Sequence, residues 1–133
     1  MSESNRDKTE FYERDKEGYQ ALVHTDKWKV ALLGWAERFD RATPVVLERH
    51  HLTDETFLLL QGEAWMIEAG NGPKPTKPVV TKLVPLKICN VPKDVWHHVH
   101  VSRDGVVTIT ENEDTCADNT EKIPWEGDVY ADC

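Results

Sequence analysis

Alternating apolar and polar residues along the chain predict a succession of short β-strands. In the stretch 28–35, Trp28, Val30 and Leu32 fall on one face, and Lys29, Ala31 and Leu33 fall on the other. A period of two is typical of a strand, because successive side chains point to opposite faces of a sheet. On this basis the predicted strands cover residues 19–23, 28–35, 43–51, 56–61, 64–69, 79–84, 86–91, 95–102 and 106–110. No stretch shows the apolar period of an amphipathic helix.

Turn residues lie between these predicted strands. Gly62 separates two apolar runs, and the loop 70–78 carries two glycines and three prolines. The sequence around Gly105 is a hairpin signal, since glycine accepts a positive φ. Many short strands with regular turn signals predict an all-β sandwich or closed barrel, with few or no helices.

The length predicts one domain with a flexible arm before it. Residues 1–17 are almost wholly polar, so we interpret them as a flexible N-terminal arm. The single domain is then predicted to span residues 18–133, a length that can bury a core of its own. Glu111 and Asn112 are interpreted as a turn at the end of the last predicted strand. The polar stretch 115–120 is interpreted as a loop that could cap the mouth of a barrel.

Composition narrows the possible partners. The chain has 16 Lys plus Arg against 24 Asp plus Glu, a net charge of -8. An acidic chain is poorly suited to nucleic acid or to an anionic membrane surface, both of which attract clustered positive charge. No apolar run approaches the roughly 20 residues that span a bilayer, and the N-terminus lacks the apolar segment of a secretory signal. Cys89, Cys116 and Cys133 lack zinc-site spacing, and we interpret them as reduced thiols of a cytoplasmic protein.

Two groups of histidines are the candidates for chemistry. His50 and His51 are adjacent and precede Glu55, while the second group is formed by His97, His98 and His100. His97 shares strand parity with Val99 and Val101, so we expect it to face the interior. His98 and His100 have the other parity, and we expect them on the surface or in a partner interface.

The spacing of these residues resembles that of the cupin superfamily, whose small domains form RmlC-like jelly-roll barrels. Glu55, six residues and Gly62 match the second half of the first cupin motif. The run from Pro92 to His97 matches the second motif, with Asp94 in place of the usual glycine. The resemblance covers roughly residues 28–112 and implies a cupin barrel.

In the cupin metal site, two histidines and a glutamate of the first motif act with one histidine of the second. This sequence has adjacent histidines where the family has His-x-His, so two registers are open. One register places Glu48 and His50 inside the barrel, and the other places Arg49 and His51 there. The resemblance therefore implies a metal site drawn from His50, His51, Glu55 and His97. Glu48 is then a possible additional ligand, and Arg49 could bind an anionic substrate.

These residue types suit a divalent metal, since imidazole and carboxylate ligands bind iron, manganese, nickel or zinc. We therefore expect a metal-binding cupin that binds or transforms a small polar or anionic metabolite, with no organic cofactor and no assigned catalytic residue. The alternative is a metal-free ligand-binding or sensor module without catalysis. The resemblance also implies a homodimer.

Overall fold

The computed structural model describes residues 7–131 as an almost wholly β structure. Two 3₁₀ turns, Glu37–Phe39 and Ala117–Asn119, are the only helical segments among the described residues. The strands are β1 (Tyr19–His24), β2 (Trp28–Gly34), β3 (Val46–His50), β4 (Glu55–Gln61), β5 (Ala64–Glu68), β6 (Val79–Lys82), β7 (Cys89–Val91), β8 (His97–Val101), β9 (Val106–Asn112) and β10 (Thr120–Pro124). The predicted all-β class is confirmed.

The strands form two five-stranded antiparallel sheets. The first sheet has the order β1-β2-β9-β4-β7, and the second has the order β10-β3-β8-β5-β6. Strands that are distant in sequence therefore lie side by side, as β2 does with β9 and β3 does with β8. This arrangement brings the two histidine groups of the sequence onto neighbouring strands of one sheet.

The main core fills the space between the two sheets. Phe57, Leu59 and Val107 of the first sheet pack with Met66 and Val101 of the second sheet, and all five are at most 3% exposed. These residues have the inward parity of their strands, so the sequence alternation placed them on the buried face. The core occupies one end of the space between the sheets and leaves polar side chains at the other end.

A second apolar cluster covers the outer face of the second sheet. Leu47, Ile67 and Trp96 lie in it, together with Trp125 and Val129 of the C-terminal segment. The second sheet is therefore buried on both of its faces. A strand with two buried faces is apolar at successive positions, and its pattern does not show which face is interior.

The prediction that His98 and His100 are surface residues is wrong. Phe39 stacks on His98 with a ring-centroid distance of 6.0 Å, and His100 Nδ1 lies 2.5 Å from the hydroxyl of Tyr130. His98 is 9% exposed and His100 is 1% exposed. Their strand parity is as predicted, but the loop after β2 and the C-terminal segment cover the face that they occupy.

The end of the chain holds a strand that the sequence analysis missed. β10 pairs with β3 along its whole length, with Thr120 opposite His50. Its sequence from Thr120 to Pro124 is mostly polar and ends in proline, which is tolerated at a sheet edge. The stretch 115–120 was expected to be a loop that could cap the barrel mouth. The structure has no strand in it before Thr120, where β10 begins.

The predicted N-terminal arm is partly described. Residues 7–17 contain neither helix nor strand. Residues 1–6 of the arm lie outside the described residues, as do the last two residues of the predicted domain, which include Cys133. Within the described range, no helix has the length and apolar character needed to cross a bilayer.

Candidate metal centre

A row of polar side chains crosses the inner face of the first sheet at one end. Lys29 on β2 pairs with Glu111 on β9, and the register of β9 with β4 places Glu55 beside Glu111. The second sheet contributes three more polar side chains to the same space. Glu48 and His50 come from β3, and His97, which pairs with Glu48, comes from β8.

These side chains meet around one carboxylate. Oε1 of Glu55 lies 3.1 Å from Nε2 of His50 and 3.1 Å from Nε2 of His97. Nε2 of His50 also lies 3.5 Å from Oε1 of Glu48. Ligand atoms of Glu48, His50 and His97 all fall within 4.8 Å of one another, which is close enough to share one ion.

The other ring nitrogen of each histidine fixes its orientation. Nδ1 of His97 donates to the carbonyl of Val95 at 2.9 Å, so its Nε2 is turned toward the site. Nδ1 of His50 is 2.8 Å from Oγ1 of Thr120, at the start of β10. A partner on the second nitrogen is how metal-binding histidines are usually oriented. Nε2 of His50 is buried and has no hydrogen-bond partner among the described residues.

The charges of the site depend on one another. Burial alone would raise the pKa of Glu55, but the close Nε2 atoms of His50 and His97 outweigh burial and hold that pKa well below its usual range. Burial would lower the pKa of His97, but the hydrogen bond to Glu55 and its charge raise it. Burial and the neighbouring Glu55 raise the pKa of Glu111 far above its usual range. The two pKa values are therefore shifted in opposite directions, and Glu55 is the carboxyl group of the pair that loses its proton first.

The structure adopts one of the two registers that the sequence left open. Glu48 and His50 face the interior, while Arg49 and His51 point to the other side of β3. Arg49 is 2.7 Å from Glu121 and lies over the ring of Trp96. His51 has Asp94 at 2.6 Å on Nδ1 and Glu121 at 2.8 Å on Nε2.

Of the predicted site residues, the structure thus brings together Glu48, His50, Glu55 and His97. It does not bring His51 or Arg49 to the group. Both nitrogens of His51 are taken by carboxylates, and Arg49 is held against Glu121, so neither can reach the interior without breaking these contacts.

The group lies in a cavity of about 750 Å³ between the sheets. Phe57, Val99 and Ile109 form apolar parts of its wall, and Cys116 lies among the lining residues of the loop before β10. An apolar wall with a few converging polar groups is the usual form of a small-molecule site.

Three polar residues of this cavity were not singled out by the sequence analysis. Glu111 was interpreted as part of a turn, but it lies within β9 and is 8% exposed. Lys29 and Tyr19 also line the cavity. Parity could have indicated two of them: Glu111 follows the inward residues Val107 and Ile109, and Lys29 precedes Ala31 and Leu33.

Comparison with solved structures identifies the architecture. A cupin-2 domain containing protein from Shewanella frigidimarina superposes with a TM-score of 0.53 at 15% identity, over 74% of this chain and 84% of that one. KdgF from Halomonas sp. gives 0.52 at 17% identity, over 75% of this chain and 80% of that one. This protein has the cupin fold.

CapF from Staphylococcus aureus, a capsular polysaccharide assembling protein, matches a larger share of this chain. Its TM-score is 0.57 at 12% identity, over 96% of this chain but 34% of CapF, so this chain spans about a third of that protein. No family model matches the sequence, and no curated protein matches it. At these identities the likeness concerns the fold, and the function has to be argued from the site.

Proposed function

We propose that this cupin binds a divalent metal ion in its barrel and uses it to bind or transform a small polar or anionic metabolite. The observation that carries the proposal is the convergence of ligand atoms of Glu48, His50 and His97 within 4.8 Å of one another, with Nε2 of His50 buried and 3.1 Å from Oε1 of Glu55. Two imidazoles and a carboxylate suit iron, manganese, nickel or zinc.

Each residue of the group has a distinct part in this proposal. His50, His97 and Glu48 hold the ion, and Glu55 joins them as a ligand or accepts hydrogen bonds from both histidines. A divalent ion held by these residues would supply Lewis-acid chemistry toward an oxygen of the metabolite. Glu111, whose pKa burial and Glu55 raise, would act as a general acid that donates a proton to the metabolite.

The neighbouring residues His50 and His51 allow a matched test of the metal site, because only His50 faces it. We expect about one equivalent of iron, manganese, nickel or zinc per chain, measured by elemental mass spectrometry on protein purified without a His-tag. His50→Gln and His97→Ala should lose most of this metal, whereas His51→Gln should keep it, because His51 lies on the other side of β3. Equal metal content in His50→Gln and His51→Gln would contradict the assignment.

A metal-free binding module is the second candidate function. It is favoured by Glu55, which already lies 3.1 Å from Nε2 of both histidines without any ion. This candidate predicts that the wild type takes up no metal on titration and that a small ligand raises its melting temperature without turnover. Stoichiometric metal uptake, or conversion of the bound ligand, would exclude it.

We also propose a cytoplasmic location for this cupin. Cys89 and Cys116 are free thiols in the structure. Reduced cysteines are the common state in the cytoplasm.

A further inference from the structure

The wall of the cavity beside the proposed metal ligands carries two polar groups with unused hydrogen-bonding capacity. Both come from the β1–β2 hairpin of the first sheet, so neither belongs to the group formed by Glu48, His50 and His97. These two groups are the hydroxyl of Tyr19 and the ammonium of Lys29, and both residues line the cavity.

Lys29 is a largely buried cation whose charge is only partly compensated. Its side chain is 14% exposed, and its ammonium donates one hydrogen bond, to the carbonyl of Thr115 at 3.2 Å. The nearest carboxylate oxygen, on Glu111, is 3.9 Å away, beyond hydrogen-bond distance. An ammonium has three donors, so this geometry leaves donors available to a ligand.

Tyr19 supplies the second group. Its hydroxyl is buried and has no hydrogen-bond partner among the described residues. Burial, followed by the charges of Glu111 and Glu55, raises the pKa of Tyr19, which keeps its hydroxyl protonated and able to donate. Tyr19 and Lys29 therefore both adjoin Glu111, and both present donors to the cavity.

The cavity itself provides room for a ligand beside these two residues. Its volume is about 750 Å³, and its wall includes Tyr19, Lys29 and Leu33 of the hairpin. The other end of the same space is bounded by the proposed metal ligands.

We infer that Tyr19 and Lys29 form a recognition site for a carboxylate, so that the cavity takes a small acid with a second oxygen-bearing end. The carboxylate accepts hydrogen bonds from the Lys29 ammonium and the Tyr19 hydroxyl, and the other end reaches Glu48, His50 and His97. This inference rests on the proposed function and names its ligand class. Charge-assisted bonds to a buried ammonium give such a site its selectivity for an anion.

The test measures binding of aliphatic dicarboxylates, from malonate to glutarate, by calorimetry on manganese-loaded protein. The corresponding neutral diamides serve as matched probes. We expect at least one dicarboxylate to bind at least tenfold more tightly than its diamide. Lys29→Met should weaken that binding by tenfold or more, and Tyr19→Phe by about threefold or more, with manganese uptake unchanged in both.

Lys27→Met is the control, because Lys27 is an exposed lysine in the turn of the same hairpin. It should bind the acid as the wild type does. If Lys29→Met does not keep the wild-type circular dichroism spectrum, Lys29→Gln replaces it in the comparison. Failure of every dicarboxylate to bind, or equal binding by Lys29→Met and wild type, would overturn the inference.

The outcomes separate this inference from the metal proposal. The same titrations are run on metal-free protein. Acid binding that depends on Lys29, in a wild type that takes up none of manganese, iron, nickel or zinc, would sustain the carboxylate site and refute the metal site. If the protein takes up manganese and Lys29→Met binds the acid as the wild type does, the metal site is sustained and the carboxylate site is refuted. The acid would then be held by the metal alone.

Discussion

Gly62 stands where the backbone leaves β4 and enters β5, and its φ is +70°. A Cβ at this position would lie 2.6 Å from the Cα of Gly105 and 2.8 Å from its backbone nitrogen. Position 62 therefore requires glycine for two reasons. Its backbone is left-handed, and the turn that contains Gly105 approaches it closely.

Gly62→Ala should accordingly lower the free energy of unfolding by roughly 2 kcal/mol or more, the sum of backbone strain and a backbone clash. Urea unfolding followed by circular dichroism measures the change. Gly72→Ala is the control, because the nearest atom to a Cβ there is 3.6 Å away. Similar stability of the two variants would show that the turn relaxes around the new methyl group.

At the scale of the element, the two faces of β8 lie in different environments. His97 faces the cavity, whereas His98 and His100 lie under the covering segments on the other face of the sheet. Desolvation lowers the pKa of His100 to about 4, opposed in part by Asp40 and helped by Arg41. Desolvation and then the charges of His100 and Arg38 lower the pKa of His98 to about 3.

A histidine whose pKa is lower in the folded state than in the unfolded state makes stability fall on acidification. The unfolded chain binds the proton from about pH 6.5 downward, while folded His100 stays neutral until about pH 4, so stability is lost across that window. Between pH 7 and pH 5, the free energy of unfolding should fall less in His100→Gln than in the wild type. The difference between the two decreases should be up to about 2 kcal/mol.

Urea unfolding at the two pH values checks this expectation. His24→Gln is the control, because the side chain of His24 is 53% exposed. Tyr130, Arg38, Arg41 and Asp40 surround the buried pair and are unchanged in both variants. Equal pH dependence in His100→Gln and wild type would show that folding does not lower the pKa of His100.

At the scale of the whole molecule, the two sheets differ in how their outer faces are covered. The second sheet is covered by the loop after β2 and by the C-terminal segment. On the first sheet, the outward positions carry uncharged and mainly apolar residues, among them Leu32, Leu58, Leu60 and Val106, and Leu60 is 45% exposed. Ile88, beside β7, is 68% exposed.

We propose that a second copy of the chain covers this face in a homodimer. Five strands at about 4.8 Å spacing and seven residues at about 3.3 Å each give a face of several hundred Å². This is on the order of what a small symmetric interface buries on each partner, and an uncharged face can pack on its own copy without opposing charges.

Light scattering should therefore give twice the chain mass of 15.3 kDa for the wild type. Leu60→Glu combined with Ile88→Glu should give the monomer, because the two carboxylates would be buried against their own copies. Val79→Glu, at a 59% exposed position on β6 of the other sheet, should remain dimeric. A monomeric wild type would contradict the proposal.

The sequence by itself determined the pattern of the first nine strands, the turn at Gly62 and the inward parity of His97. Side chains on one face of a strand recur at every second residue. The common face of Lys29, Ala31 and Leu33 can therefore be read from the sequence without knowing the neighbouring strands. The cupin spacing added the expectation that Glu55 and His97 come from strands facing one site. These features are local, or depend on spacing along the chain.

Only the tertiary structure decided between His50 and His51, and only it buried His98 and His100. β3 and β8 are covered on both faces, so apolar parity gives no sign of the interior: Leu47 is 0% exposed on one face and His50 is 8% exposed on the other. The partners that decide the outcome, such as Thr120 for His50 and Tyr130 for His100, come from the far end of the chain. Contacts between distant segments arise from packing free energy, which the period of a single strand does not encode.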